Sequence, residues 1–145
     1  MFKRILVALE NSASDQALIP AITKLALMAK SELLLVHVAD GWVARNFDQL
    51  QLAESEEMRE DRAYLQQIAD RLRAEGLSTR CVLAMGDPPD EILRTAKEQE
   101  CDLIAMTTHG HRLIGDIIYG QTIEKVRHLA TVPLFIVSAR QVDAK

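Results

Sequence analysis

Five short β-type runs separated by stretches of helical spacing constrain this chain more tightly than any other feature of it. The runs are Arg4 to Leu9, Leu33 to Val38, Ser78 to Leu83, Leu103 to Thr107 and Leu134 to Val137. Strands alternating with helices predict an α/β domain with a mostly parallel sheet. Three of the runs (ILVAL, LLLVHV and LIAM) are nearly continuously apolar, as strands covered on both faces should be. Right-handed crossovers then give a doubly wound sheet, with ligands expected at the carboxyl ends of the strands. The length of 145 residues suits one domain. Its ordered core is expected over about 2–139.

The helical stretches differ in clarity. Leu18, Ile22, Leu25 and Met28 form one apolar stripe, but Pro20 falls inside it, so this helix is expected to start late or kink. Met58, Leu65, Ile68 and Leu72 form a second stripe. The other face of that segment carries Glu54, Glu56, Glu57, Arg59 and Asp61 and reads as solvated. The third helix has the best start signal: Asp87 to cap, Pro88 at the first position, and Asp90 and Glu91 to complement the dipole. A fourth is expected from about Gln121 to Leu129, with Ile123 and Val126 inward. The connection from Ala39 to Leu52, holding Trp42 and Phe47, is of a length that is often functional or mobile.

Composition narrows the function classes. A net charge of −4 argues against a general nucleic-acid binder, which carries a basic excess. The apolar runs fall far short of the roughly twenty residues of a membrane span, and the start Met1-Phe2-Lys3-Arg4 carries no signal-peptide pattern. A cytoplasmic protein is expected. Cys81 and Cys101 fit neither a zinc site nor a disulfide framework and read as thiols in a reducing compartment. The four histidines offer no HExxH pair, so no metal site is expected.

The first run ends Leu9-Glu10-Asn11-Ser12 with no GxGxxG after it, and no GxxxxGK[ST] occurs. A receiver domain would want a phosphorylatable Asp closing strand three, where Ala84-Met85 stand. The informative stretch runs from Met106 to Thr122, punctuated by Gly110, Gly115 and Gly120. Glycine lets backbone approach a ligand closely, and a helix start at Gly120 to Thr122 would present N–H groups and a positive dipole end. His109, His111 and Arg112 add donors, giving a phosphate cradle; the competing reading is a plain connection whose glycines serve turn geometry. His37 reads as a satisfied buried or dimer-facing histidine, and Lys125 and Arg127 as surface charges. Trp42 and Tyr119 either cover a bound base or shield the sheet. No nucleophile has an assured partner, so no catalytic residue is named.

Five segments in order, ILVALENSASDQAL, LLLVHVAD, GDPPDEIL, CDLIAMTTHG and GQTIEKVRHLATVPLFIV, resemble the universal stress protein family over nearly the whole chain. The resemblance implies a five-stranded parallel sheet of order 3-2-1-4-5 and a homodimer joined along the last strand. Pro133 before a short apolar edge strand supports the second point independently, because an uncovered edge is a pairing template. Family members divide into those that bind ATP or related adenine nucleotides and those that do not. The binders resemble G-x2-G-x9-G-[ST] after strand four. Here those positions hold Thr107, Gly110, Gly120 and Gln121, with the spacing intact and a hydroxyl one residue later at Thr122. Glu10 and Asn11 stand at the family's Asp and Gly after strand one, and the resemblance places adenine near Leu9, Val38 and Met106.

Three functional readings follow. The first is a regulatory module of the stress response: a homodimer that holds ATP or AMP, with Mg²⁺ as a companion of the phosphates. Its loop from His109 to Tyr119 would order on phosphate and bias an unnamed protein partner. The second is a slow ATP hydrolase with His109 or His111 positioning water. The third is a dimeric scaffold that binds no nucleotide because Thr107 and Gln121 close the site. Neither a nucleic acid nor a membrane is an expected partner.

Overall fold

The first strand, β1 (Arg4–Ala8), can sit mid-sheet because both its faces are apolar. Ile5 and Val7 point into one buried cluster, and Leu6 and Ala8 into another. The structure, a computed structural model, describes residues 1–39, 56–108 and 114–139, with the backbone alone for 114–120. After β1 come α1 (Asp15–Ala29), β2 (Glu32–Ala39), α2 (Glu56–Ala74), β3 (Thr79–Met85), α3 (Pro88–Glu98), β4 (Leu103–Thr108), α4 (Ile114–Leu129) and β5 (Leu134–Ser138). The five strands lie in the order β3-β2-β1-β4-β5, and every neighbouring pair is parallel. That is the sheet the sequence implied.

Side-chain alternation assigns the helices to layers. Ile5, Val7, Leu33 and Leu35 meet Leu18, Ile22 and Ala26 of α1 and Leu65, Ile68 and Leu72 of α2. On the opposite face, Leu6, Leu34, Val36 and Ile104 meet Ile92 and Ala96 of α3 and Ile123 and Val126 of α4. Asp87 is the N-cap of α3 with an extended backbone, and its carbonyl accepts the Glu91 N–H at 2.9 Å. Its side chain makes no cap hydrogen bond; it lies 3.8 Å from Lys125, which also reaches Asp90 at 2.8 Å.

Four expectations need correction. Helix α1 does not start late: it begins at Asp15 and runs through Pro20, and its entry uses tight bonds from Asp15, Gln16 and Ala17 to the carbonyls three residues back. The inward stripe of α1 is Leu18, Ile22 and Ala26, with Leu25 partly buried, while Met28 is 84% exposed. Asp61 does not belong to a solvated face; it is 6% exposed. Finally, α4 begins at Ile114 rather than near Gln121. A glycine inside a helix costs only about 1 kcal/mol relative to alanine, so Gly115 and Gly120 are carried by cooperative propagation. Glu54 and the connection beyond Ala39, with Trp42 and Phe47, lie outside the described residues.

This core predicts a contrast between two substitutions. Leu35→Ala, at a fully buried position, should cost about 3 kcal/mol, whereas Met28→Ser should change stability by about 0.5 kcal/mol or less. Urea denaturation of both variants checks it.

Candidate functional site

The chain leaves β1 toward α1 on one face of the sheet and leaves β4 toward α4 on the other. Two adjacent parallel strands whose connections diverge in this way leave a crevice at their carboxyl ends. A cavity of about 440 Å³ occupies it. Ala8, Leu9, Glu10 and Asn11 line it from β1 and the turn after it, and Val36, His37, Val38 and Ala39 from β2. Helix α2 contributes Glu57, Glu60 and Asp61, α3 contributes Pro88 and Ile92, and Met106, Thr107, Thr122 and Ile123 come from β4 and α4.

Register gives the cavity a polar edge. The last β1 partner of β2 is Ala8, opposite Val36, and the Val36 carbonyl accepts the Leu9 N–H at 2.8 Å. Alternate residues of a strand direct their N–H and C=O to the same neighbour. Val38 therefore directs its main-chain groups toward the β1 side, beyond the β1–β2 pairing, where the cavity lies. His37 and Ala39 pair toward β3 instead.

The turn after β1 is built around a buried carboxylate. Asp15, 1% exposed, accepts the main-chain N–H groups of Glu10 and Asn11, each at 2.9 Å, and the Tyr64 hydroxyl at 2.7 Å. Asn11 takes a left-handed backbone with φ of 57°, a conformation that asparagine adopts more readily than most residues. Burial pushes the Asp15 carboxyl above its ordinary value, and these hydrogen bonds oppose the shift. Burial, together with the neighbouring Asp15 carboxylate, pushes the Tyr64 phenol up. The Glu10 carboxylate folds back to accept the Ser14 hydroxyl, with the Ser12 hydroxyl at 3.4 Å.

A second buried group faces the same turn. His37 Nδ1 lies 2.8 Å from the Leu9 carbonyl, which can only accept, so that nitrogen carries a hydrogen. Its Nε2 is 3.2 Å from Asp61 Oδ2, and Asp61 Oδ1 accepts the Asn11 side-chain amide at 2.9 Å. His37 is thus a satisfied buried histidine, although it also lines the cavity.

The structure brings Leu9, Glu10, Val38, Met106, Thr107 and Thr122 around one cavity. Thr107 is 3% exposed and forms part of the wall without filling the space. Gln121 is exposed and lines a separate shallow depression with Glu124 and Lys125, so it does not close the site. Gly120 and Gln121 sit within α4, where backbone N–H groups serve the helix. The cradle expected from a helix start at Gly120 to Thr122 is corrected on that ground. His109, Gly110, His111 and Arg112 lie outside the described residues, as does the side chain of Tyr119. Asn11, which the resemblance set at the family's Gly after strand one, also lines the cavity, and sequence reasoning missed Asp61, Glu57, Glu60 and Ile92. Only Asp61 carried a signal: it lies three residues after Met58 and four before Leu65, on the inward stripe.

The profile of the universal stress protein family matches residues 1–138. Over 149 aligned residues the chain is 27% identical to the universal stress protein YxiE of Bacillus subtilis (strain 168), spanning 94% of this chain and 99% of that one. A universal stress protein in complex with cAMP superposes with a TM-score of 0.69 at 17% identity, over 95% of this chain and 98% of that one. The universal stress protein from Archaeoglobus fulgidus in complex with dAMP gives 0.70 at 19% identity, over 94% of this chain and 98% of that one.

The raised Asp15 carboxyl has a pH consequence with a definite sign. A folded-state value above the unfolded one stabilises fully below the unfolded value, near 3.8, and that contribution is lost as pH rises through the folded value. The wild-type chain should therefore lose stability relative to Asp15→Asn as pH climbs from 3.8 into the range just above it. Denaturation midpoints of both proteins from about pH 3.5 to about pH 6.5 check this.

Proposed function

The chain belongs to the universal stress protein family, and on that premise we propose that it is a regulatory module that binds an adenine nucleotide, ATP or AMP, in the crevice between β1 and β4. The observation that carries the reading is the main-chain edge of Val38 directed at a cavity of about 440 Å³. An N–H and a C=O side by side complement the N1 acceptor and N6 amino donor of adenine. Guanine presents an acceptor at position 6 and a donor at position 1, the reverse order. Leu9, Ile92 and Met106 supply apolar walls for a flat base. The cAMP and dAMP complexes of two relatives support an adenylate in this fold.

Phosphate contacts fall to His109, Gly110 and Arg112 in this reading, by resemblance to the family's binding loop. Mg²⁺ enters with ATP; among the described residues no group of three or more His, Cys, Asp or Glu is placed to hold a metal. The scaffold alternative loses its main support, since neither Thr107 nor Gln121 fills the cavity.

We further propose a cytoplasmic homodimer of the stress response, paired through the edge of β5 and coupled to an unidentified protein partner. Strand β5 is the last of the sheet, and Ile136 on it is 39% exposed. Among the described residues no helix is long and apolar enough to cross a membrane.

Two measurements test these statements. AMP at about a hundred times its dissociation constant should stabilise the fold by about 2.7 kcal/mol, visible as a higher melting temperature. GMP at the same concentration should leave it unchanged, and equal effects of the two would reject an adenine site. In sedimentation the wild-type chain should run as a dimer at micromolar concentration and Ile136→Lys as a monomer. A monomeric wild type rejects the pairing.

A further inference from the structure

We propose that Asp61 is a positioning residue of the nucleotide site, acting through His37 and Asn11 to hold the Leu9–Asn11 turn against the cavity. This inference rests on the adenylate reading of that cavity. The turn is fastened from two directions. Asp15, at the start of the following helix, binds its main-chain N–H groups and is itself held to α2 by the Tyr64 hydroxyl. The second fastening joins the turn to both α2 and β2 through side chains that line the cavity. Asp61, fifty residues along the chain on α2, holds the Asn11 side chain at 2.9 Å, and its other oxygen meets His37 of β2 at 3.2 Å. His37 in turn holds the Leu9 carbonyl at 2.8 Å.

Every member of this chain of contacts lines the cavity, so a shift of the Asp61 carboxylate changes the opening between the turn, β2 and α2. Asp61 Oδ1 accepts the Asn11 amide, and Oδ2 lies 3.2 Å from His37 Nε2, which donates to it when the ring carries both hydrogens. Among the described residues, the other titratable groups lining the cavity with His37 and Asp61 are Glu10 from the β1 turn and Glu57 and Glu60 from α2, all acidic. Asn11 suits its part twice over, tolerating a φ of 57° and carrying the amide that reaches Asp61.

The test measures AMP affinity by calorimetry on the full chain, with folding of each variant checked by thermal melting. Asp61→Leu keeps a similar volume but removes both oxygens and leaves the Asn11 amide without its acceptor, so AMP should bind about tenfold more weakly. Asn11→Asp alone sets two carboxylates against each other and should lose about as much. The exchanged pair Asn11→Asp with Asp61→Asn restores one donor opposite one acceptor, and affinity should return to within about threefold of wild type. A loss that came only from weakened folding would show no such rescue. Wild-type affinity in a folded Asp61→Leu, or no recovery in a folded exchange variant, overturns the role of Asp61. No AMP binding by the wild-type chain overturns the reading of the cavity itself, and the inference falls with it.

Discussion

A parallel sheet covered on both faces leaves its main-chain ends as the one place where polar groups meet open space, and the rest of this structure follows from that constraint. β1 is buried on both sides, so its connection must go to one face while that of β4 goes to the other. The divergence opens the crevice. The three residues by which β2 outruns its pairing with β1 include Val38, whose main chain is directed into it. Site and fold are consequences of the same strand order.

What stands at that crevice is held by charge as much as by packing. Two carboxylates, Asp15 and Asp61, are each nearly inaccessible and each spend their oxygens on the turn after β1 or its neighbours. Stripping the partner from a buried charge costs about 3–5 kcal/mol, far above the worth of an exposed ion pair such as Arg73 with Asp70. The turn is therefore a rigid wall, set between α1 and α2, rather than a loose loop.

The sheet was legible in the sequence because its signal is redundant. The β-type runs marked all five strands to within a residue or two, and the three nearly continuous apolar ones marked a sheet covered on both faces. The polar site was less legible. Asp61 looked like one more charge in an acidic helix, since composition alone does not distinguish a carboxylate that meets His37 from one that meets water. Glu10 looked poised toward a ligand, yet the hydroxyl of Ser14 draws it back to the start of α1. The onset of α4 was misplaced by seven residues because Gly115 and Gly120 were read as loop punctuation before a helix start, a weak signal against helix cooperativity. Pro20 misled as well: it stands past the first turn of α1, and the helix runs on through it to Ala29.

An amide-resolved NMR titration of the full chain with AMP tests the central claim most directly. The account predicts saturable shifts centred on Leu9, Asn11, Val38 and Met106, the residues that converge at the carboxyl ends of β1, β2 and β4. Shifts confined to the outer face of α4 around Gln121 and Lys125, or none at millimolar AMP, would contradict it.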